Sequence, residues 1–544
     1  MAIPANAQEG FQDPVFDLQA ILVPPLNARV LKRSVADGLV TEEVMFHSET
    51  DGDKVVDIFA FFCYPEGAKG LPAFVWNQSG CYQASTYFPL LGARRGYAGL
   101  CIDFPIPGYR STGNYPINSG IPPVDDPRQA PIYHGAVALL RAVSFLESRQ
   151  EVDPDRIGMA GSSWGGFFTT LMVGVDPRLK AGSSMFGCGA LELGNAWWDS
   201  AGNSANFPPG VRERWATTLD PALRLPHRTT PMAWFTVTND TFYWLPAVME
   251  SYQRAGGTKH LSLLPNWDHG LTPALDEQVF AWLDVHLKGA PDFIRVEPIA
   301  LEHTDDGRLF ARWKFDGPRR PVRAELRLSY GESGNWVSRY WKALDAELED
   351  GSALCQLPAT SWAYFIFGTV VDADGFLYST PLLQVLPPGV GLQKTGDALE
   401  YNGCSVWGDF EPGGIQYLQG LGYMGNAQVS PEGRNGTQCL LLRESHTLRD
   451  IYYPQGVLHR FQCYMKSEQP IEVTLTLTER YDQRTATAER VFRVGAEWTP
   501  LILDFAPHAA LWSKIFATVK LPDGATALVD DVSFSPIGNV QGKE

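Results

Sequence analysis

Three residues of this sequence have types and settings that suit acyl transfer. Ser163 lies in Gly161-Ser162-Ser163-Trp164-Gly165, a G-x-S-x-G element. A serine hydroxyl is a weak nucleophile until a base takes its proton. His269, in Asp268-His269-Gly270, is the candidate base. Asp240, in Asn239-Asp240-Thr241, is the candidate carboxylate that orients the imidazole. Asp240 also reads as an N-cap of the helix that follows it. Glu192 and Asp268 are competing acids, and Asp268 is too close in sequence to swing easily onto the same ring. Two backbone N–H groups are needed where negative charge develops on the carbonyl oxygen. The candidates are those of Trp164, next to the nucleophile, and Cys81, in the loop Asn77-Gln78-Ser79-Gly80-Cys81-Tyr82.

A G-x-S-x-G element alone arises readily in a Gly-rich chain. Its setting raises its value. Arg156–Ala160 reads as a strand, and a helix is expected to begin near Trp164. A serine on such a tight strand-to-helix turn projects its Oγ from the sheet, and the helix behind it points its positive end at the developing oxyanion. The other positioning elements follow the same alternation between about Asp53 and Gly289. Strands are expected over Val55–Cys63, Leu71–Trp76, Tyr97–Phe104, Ala181–Phe186, Met232–Val237 and His260–Leu264. Helices are expected to close at Ala93–Gly96 and to span Ile132–Arg149 and Leu275–Leu287. This pattern predicts an α/β class, a doubly wound, mostly parallel sheet with helices on both faces.

After Arg295 the helices stop. Leu309–Phe315, Val322–Tyr330, Arg339–Ala346, Trp362–Val371 and Phe376–Val385 read as strands of a β-sandwich. Pro387-Pro388-Gly389 is a plausible hinge. A third β-rich region follows, with strands such as Gln438–Leu442, Val457–Met465, Ile471–Thr478 and Thr499–Phe505. The expected domains are residues 1–294, 295–388 and 389–544.

Composition narrows the function. The chain has 544 residues and a formal net charge of −17, which argues against nucleic acid and against anionic lipid as partners. No apolar stretch is long enough to span a membrane. Eight cysteines make no disulfide framework and no zinc spacing; one pair among Cys404, Cys439 and Cys463 is open to bridging. Aromatic residues are 12% of the chain, with 16 Trp. They suit either core packing or stacking against sugar rings. Ala5-Asn6-Ala7 has the small-x-small form of a signal-peptide end, without the basic and apolar segments that precede one. The expectation is a secreted or periplasmic protein whose signal is absent from this sequence, with a cytoplasmic protein as the alternative.

Residues from about 50 to 290 resemble an α/β-hydrolase of the acetylxylan-esterase and dienelactone-hydrolase-like branch. The segments that carry the resemblance are 153–166, Thr238-Asn239-Asp240 and Asp268-His269-Gly270, in the order Ser163…Asp240…His269 that this fold uses. Relatives usually read His-Gly in the oxyanion loop, where this chain has Ser79-Gly80. The middle region resembles an Ig-like or fibronectin-like sandwich. The last resembles a carbohydrate-binding jelly roll, on Gly408–Gly413 and Val529–Phe534. In that family, acids at these places hold a structural Ca²⁺, which implies Glu411 with Asp530 or Asp531. The alternative is ordinary turn acids on paired strands.

The resemblance implies a serine esterase that removes an acyl group, acetyl first, from a carbohydrate, with no cofactor for catalysis. An insertion between Gly187 and Thr230 is expected to overhang the serine. Trp197 and Trp198 in it, with Tyr243 and Trp267 beside the acid and base, are candidate substrate-binding residues. Arg95, Arg110 and Arg214 are candidates for a basic pocket. Two other readings stand: a prolyl-oligopeptidase-like serine peptidase, and a catalytically inactive polysaccharide-binding protein. Oligomeric state is not legible.

Overall fold

The structure is a computed structural model. It describes residues 11–116, 125–199, 210–265, 267, 269–270, 273–330, 336, 341–359, 363–386, 427–436, 438–448, 457–481, 484–506 and 514–539.

A nine-stranded sheet organises the first region. Its strands are β1 (Arg29–Ala36), β2 (Leu39–Asp51), β3 (Lys54–Pro65), β4 (Leu71–Asn77), β5 (Ala98–Ile102), β6 (Val152–Ser162), β7 (Ala181–Met185), β8 (Met232–Val237) and β9 (Lys259–Leu264). The spatial order is β1-β2-β3-β5-β4-β6-β7-β8-β9. From β5 to β9 every neighbouring pair is parallel, and β1 to β3 form an antiparallel edge joined to β5. The helices are α1 (Leu18–Leu22), α2 (Tyr87–Arg94), α3 (Pro131–Glu147), α4 (Trp164–Val175), α5 (Ala196–Asp199), α6 (Val211–Thr218), α7 (Leu245–Arg254) and α8 (Pro273–Lys288).

The near-continuous apolar strands are explained by two cores. Successive side chains on a strand point to opposite faces. On β8, Met232 and Trp234 join one core with α3, α4 and α7, while Ala233, Phe235 and Val237 join the other with α8. On β4, Ala73 and Val75 face the first core and Phe74 and Trp76 the second. These parallel strands are covered on both sides, as parallel sheets require, whereas the edge strand β1 is exposed along its whole length.

Two antiparallel five-stranded sheets are built from residues between Arg295 and Val385. They share the second core with α8: Trp313, Leu326, Tyr364 and Tyr378 pack in one cluster with Trp282 and Phe293. A hydrogen bond ties the units as well: the Leu263 N–H donates to the Ser379 side-chain Oγ at 3.0 Å. Residues between Gln428 and Asn539 form a five-stranded and a four-stranded sheet around a third core, with Phe461 and Val529 from one and Leu475 and Val519 from the other. Cys439 and Cys463 are buried and unbridged there; Cys404 lies outside the described residues.

The metal expectation falls partly outside the description. Glu411 is not among the described residues. Asp530 accepts from the Arg434 N–H at 2.6 Å, and Asp531 takes the Arg434 guanidinium and the Asn435 amide. No group of three or more His, Cys, Asp or Glu among the described residues is arranged to hold a metal ion. No helix among them is long and apolar enough to cross a membrane.

Candidate active site

The three residues picked out by type and spacing meet at one edge of the sheet. Ser163 follows the carboxyl end of β6, Asp240 that of β8 and His269 that of β9. Ligand sites of open parallel sheets lie at this end of the strands.

Ser163 sits between β6 and α4 with φ 58° and ψ −123°, a conformation that disfavours a side chain. The neighbours hold it there. Its N–H donates to Met185 O at 2.8 Å, and its carbonyl accepts the first helical bond, from Phe167 N–H at 2.9 Å. The glycine after Trp164 is required by close approach: a Cβ on Gly165 would overlap the backbone oxygen of Asn77 at the end of β4. Gly187 is required likewise, because a Cβ there would lie 2.6 Å from Ser163 O and overlap the Phe167 nitrogen.

The side chains form a hydrogen-bonded line. Ser163 Oγ lies 2.8 Å from His269 Nε2, and His269 Nδ1 lies 2.9 Å from Asp240 Oδ2. Asp240 is buried, and its other oxygen accepts the N–H groups of Phe242 and Tyr243 at 2.7 and 2.9 Å. Asp240 thus caps its own loop, and it is not the N-cap of the following helix α7, a place held by Trp244. The acid and base loops are joined by Asn239 N–H donating to Trp267 O at 3.0 Å. Such a line allows proton removal from Oγ by the imidazole, with the resulting cation balanced by the carboxylate.

Trp164 is the first residue of α4, so its N–H has no acceptor within the helix. Cys81 ends a tight turn (Ser79–Cys81) with φ 53°, against the start of α4. Its N–H donates to Gln78 O over 3.3 Å, so that donor is engaged inside its own turn rather than standing free as expected. Burial pushes the Cys81 and Cys188 thiols well up, which keeps both protonated and poor as nucleophiles.

The aromatic candidates divide. Trp197 is half-buried and packs against Trp164, ring centroids 4.9 Å apart. The Trp198 side chain lies outside the described part. Tyr243 and Trp267 depart from the expectation that they face substrate: both are buried, 0% and 3% exposed. Tyr243 packs between Trp197 and His269, and burial pushes its phenol well up. Trp267 belongs to the core with α8 and donates to Gly270 O at 3.3 Å, bracing the histidine loop. Sequence cannot separate an aromatic that braces a site from one that lines it. Phe186 and Phe242, which also flank the imidazole at 5.4 and 4.9 Å, escaped sequence reading. Their signal was position alone, one directly after β7 and the other two residues after the acid.

The insertion is anchored from within. Buried Asp220 accepts the N–H groups of Ala190, Leu191 and Ala222 and the indole of Trp215. Glu192 lies 3.9 Å from Arg254, so it is not the acid on His269. Arg95, Arg110 and Arg214 do not make a basic pocket. Each is paired with a carboxylate, of Glu277, Glu43 and Asp125 respectively.

No family model matches the sequence, and no curated protein matches it. Solved structures do. An acetyl xylan esterase from a Paenibacillus species has a TM-score of 0.43 and 20% identity, over 50% of this chain and 92% of the other. Acetyl xylan esterase 1 from a Thermoanaerobacterium species has 0.42 and 16%, over 49% and 90%. An acylaminoacyl peptidase from Pyrococcus horikoshii has 0.36 and 14%, over 48% and 56%.

Proposed function

We propose that the chain is a serine esterase that removes a short acyl group, acetyl first, from a hydroxyl of a carbohydrate. The observation that carries the reading is the continuous line from Ser163 Oγ through His269 to Asp240, at 2.8 and 2.9 Å. The segments 153–166, 238–240 and 268–270 support the esterase class by resemblance. The aromatic surroundings of the histidine support a ring-bearing substrate.

In the first step Ser163 Oγ attacks the ester carbonyl carbon while its proton passes to His269 Nε2. Asp240 stabilises the imidazolium through Nδ1–H. The N–H of Trp164, which has no acceptor within its helix, donates to the carbonyl oxygen as it becomes an anion. The imidazolium then gives its proton to the departing alcohol oxygen, the ester C–O bond breaks, and the acyl group remains on Ser163. Water repeats the sequence with His269 as base, releasing the carboxylic acid and restoring the serine.

The test is turnover of p-nitrophenyl acetate and acetate release from acetylated polysaccharides. Ser163→Ala is expected to remove both, and a fluorophosphonate is expected to label Ser163 in the folded protein. Cleavage of a blocked proline peptide without ester turnover would favour the peptidase reading. Absence of a fluorophosphonate adduct would favour the inactive binder.

A further inference from the structure

Phe242 is an apolar side chain with 39% of its surface in solvent, beside the most constrained groups of the molecule. Its ring lies edge-on to the His269 imidazole, centroids 4.9 Å apart and planes at 76°. Its own N–H is held by the carboxylate that orients that imidazole. Its carbonyl accepts from Ala196 N–H at 3.1 Å, at the start of the short helix that carries Trp197. The Trp197 ring is stacked on Phe242 at 5.9 Å and 27°, and it also packs against Tyr243 and against Trp164, next to Ser163. A continuous aromatic surface therefore runs from the residue after Ser163 to the flank of His269. It is fixed at both ends by the main chain of the site itself.

Position says which part of a substrate meets it. The imidazolium must deliver its proton to the departing alcohol oxygen, so a solvent-facing ring on the flank of His269 stands beside the alcohol rather than the acyl group. Aromatic faces attract flat apolar faces and arrays of C–H bonds, and a ring presents a broader such face than a short open-chain alcohol does. Resting on the esterase reading above, we infer that Phe242, with Trp197, is a specificity-determining shelf for the alcohol side of the ester, selecting alcohols whose hydroxyl is carried on a ring.

The experiment uses the full chain and esters that share the acetyl group. Cyclohexyl acetate and an O-acetylated methyl pyranoside carry their ester oxygen on a ring; ethyl acetate does not. The wild type is expected to favour the ring-bearing esters in kcat/KM. Phe242→Ala is expected to lower the ring-to-open-chain ratio of kcat/KM by about tenfold, and Phe242→Trp to restore it. A merely structural role would depress all three esters together and leave the ratio unmoved, which would overturn the inference. An unselective wild type whose ester turnover still requires Ser163 would also overturn it while leaving the esterase reading standing. No Ser163-dependent turnover of any ester would sink both.

Discussion

Asp240 gives His269 one carboxylate oxygen and keeps the other for its own loop. Oδ2 faces Nδ1 at 2.9 Å, while Oδ1 accepts from Phe242 and Tyr243. The division fixes the carboxylate plane before substrate arrives. Asp240→Asn can still offer an oxygen to the loop, but its amide then meets Nδ1 as a donor and favours the wrong imidazole tautomer. We expect kcat on p-nitrophenyl acetate to fall by about 10⁴ with the melting temperature nearly unchanged. Asp240→Ala should lose activity and also destabilise, by about 1–3 kcal/mol, because two main-chain donors lose their acceptor. If the Asn variant kept a tenth of the activity, the orienting acid would have to lie elsewhere.

The glycine after Trp164 answers a steric demand rather than a chemical one. A methyl group at Gly165 would be driven into the backbone of Asn77, which a strand end cannot yield cheaply. Gly165→Ala is expected to destabilise by about 1–3 kcal/mol or more and to abolish activity with it. Gly96→Ala is the control. It has open space around it and only a positive φ of 79° to resist the side chain. There about 1–2 kcal/mol is expected, with turnover retained, read by thermal melts and the same ester assay.

The two tryptophans next to the site differ in what they support. Trp267 lies in the core under the histidine loop, so Trp267→Ala should cost about 3–5 kcal/mol and lower the melting temperature sharply. Trp197 is half-buried on the insertion, so Trp197→Ala should melt well above Trp267→Ala. Equal melting temperatures for the two would show that both are core.

That Ser163, His269 and Asp240 come together was legible because each rests on a local rule: a small-residue elbow, a loop after a strand, and chain order. The parallel strands were legible because both faces are apolar. Of the antiparallel edge, β3 was legible over Val55–Cys63, while β1 and β2 were not. β2 alternates buried and half-buried residues, yet one buried position is Glu42, which hides the apolar period. Glu42 is tolerated inside because the Tyr64 hydroxyl donates to it at 2.8 Å and Arg149 pairs with it at 2.9 Å. Those partners come from distant segments, so the sequence around β2 carries no sign of them. The run Phe376–Val385 also misled. It holds two short strands, Leu377–Ser379 and Leu383–Val385, separated where Thr380 and Pro381 leave the ladder. Phe242 stayed hidden for a different reason: exposure is a property of the assembled site.

His260 should make the junction between the sheet and the middle sandwich sensitive to acid. Its ring is buried among Phe235, Trp282, Phe293 and Tyr378, and Nε2 has no hydrogen-bond partner among the described residues. Burial, with a smaller contribution from Arg319, lowers its pKa from the ordinary 6.5 to about 3. The folded state thus prefers the neutral ring. The stabilisation is fully present above the unfolded pKa and is lost as pH falls from 6.5 towards 3, because only the unfolded chain takes up the proton readily. The loss is on the order of 1 kcal/mol for each pH unit below 6.5. His260→Leu removes both the titration and the orphaned nitrogen at similar volume. Denaturant unfolding at pH 7.5, 6.5, 5.5 and 4.5 should show the wild type losing ground to the variant progressively below 6.5. Parallel curves for the two proteins across that range would mean that His260 is not the group that titrates.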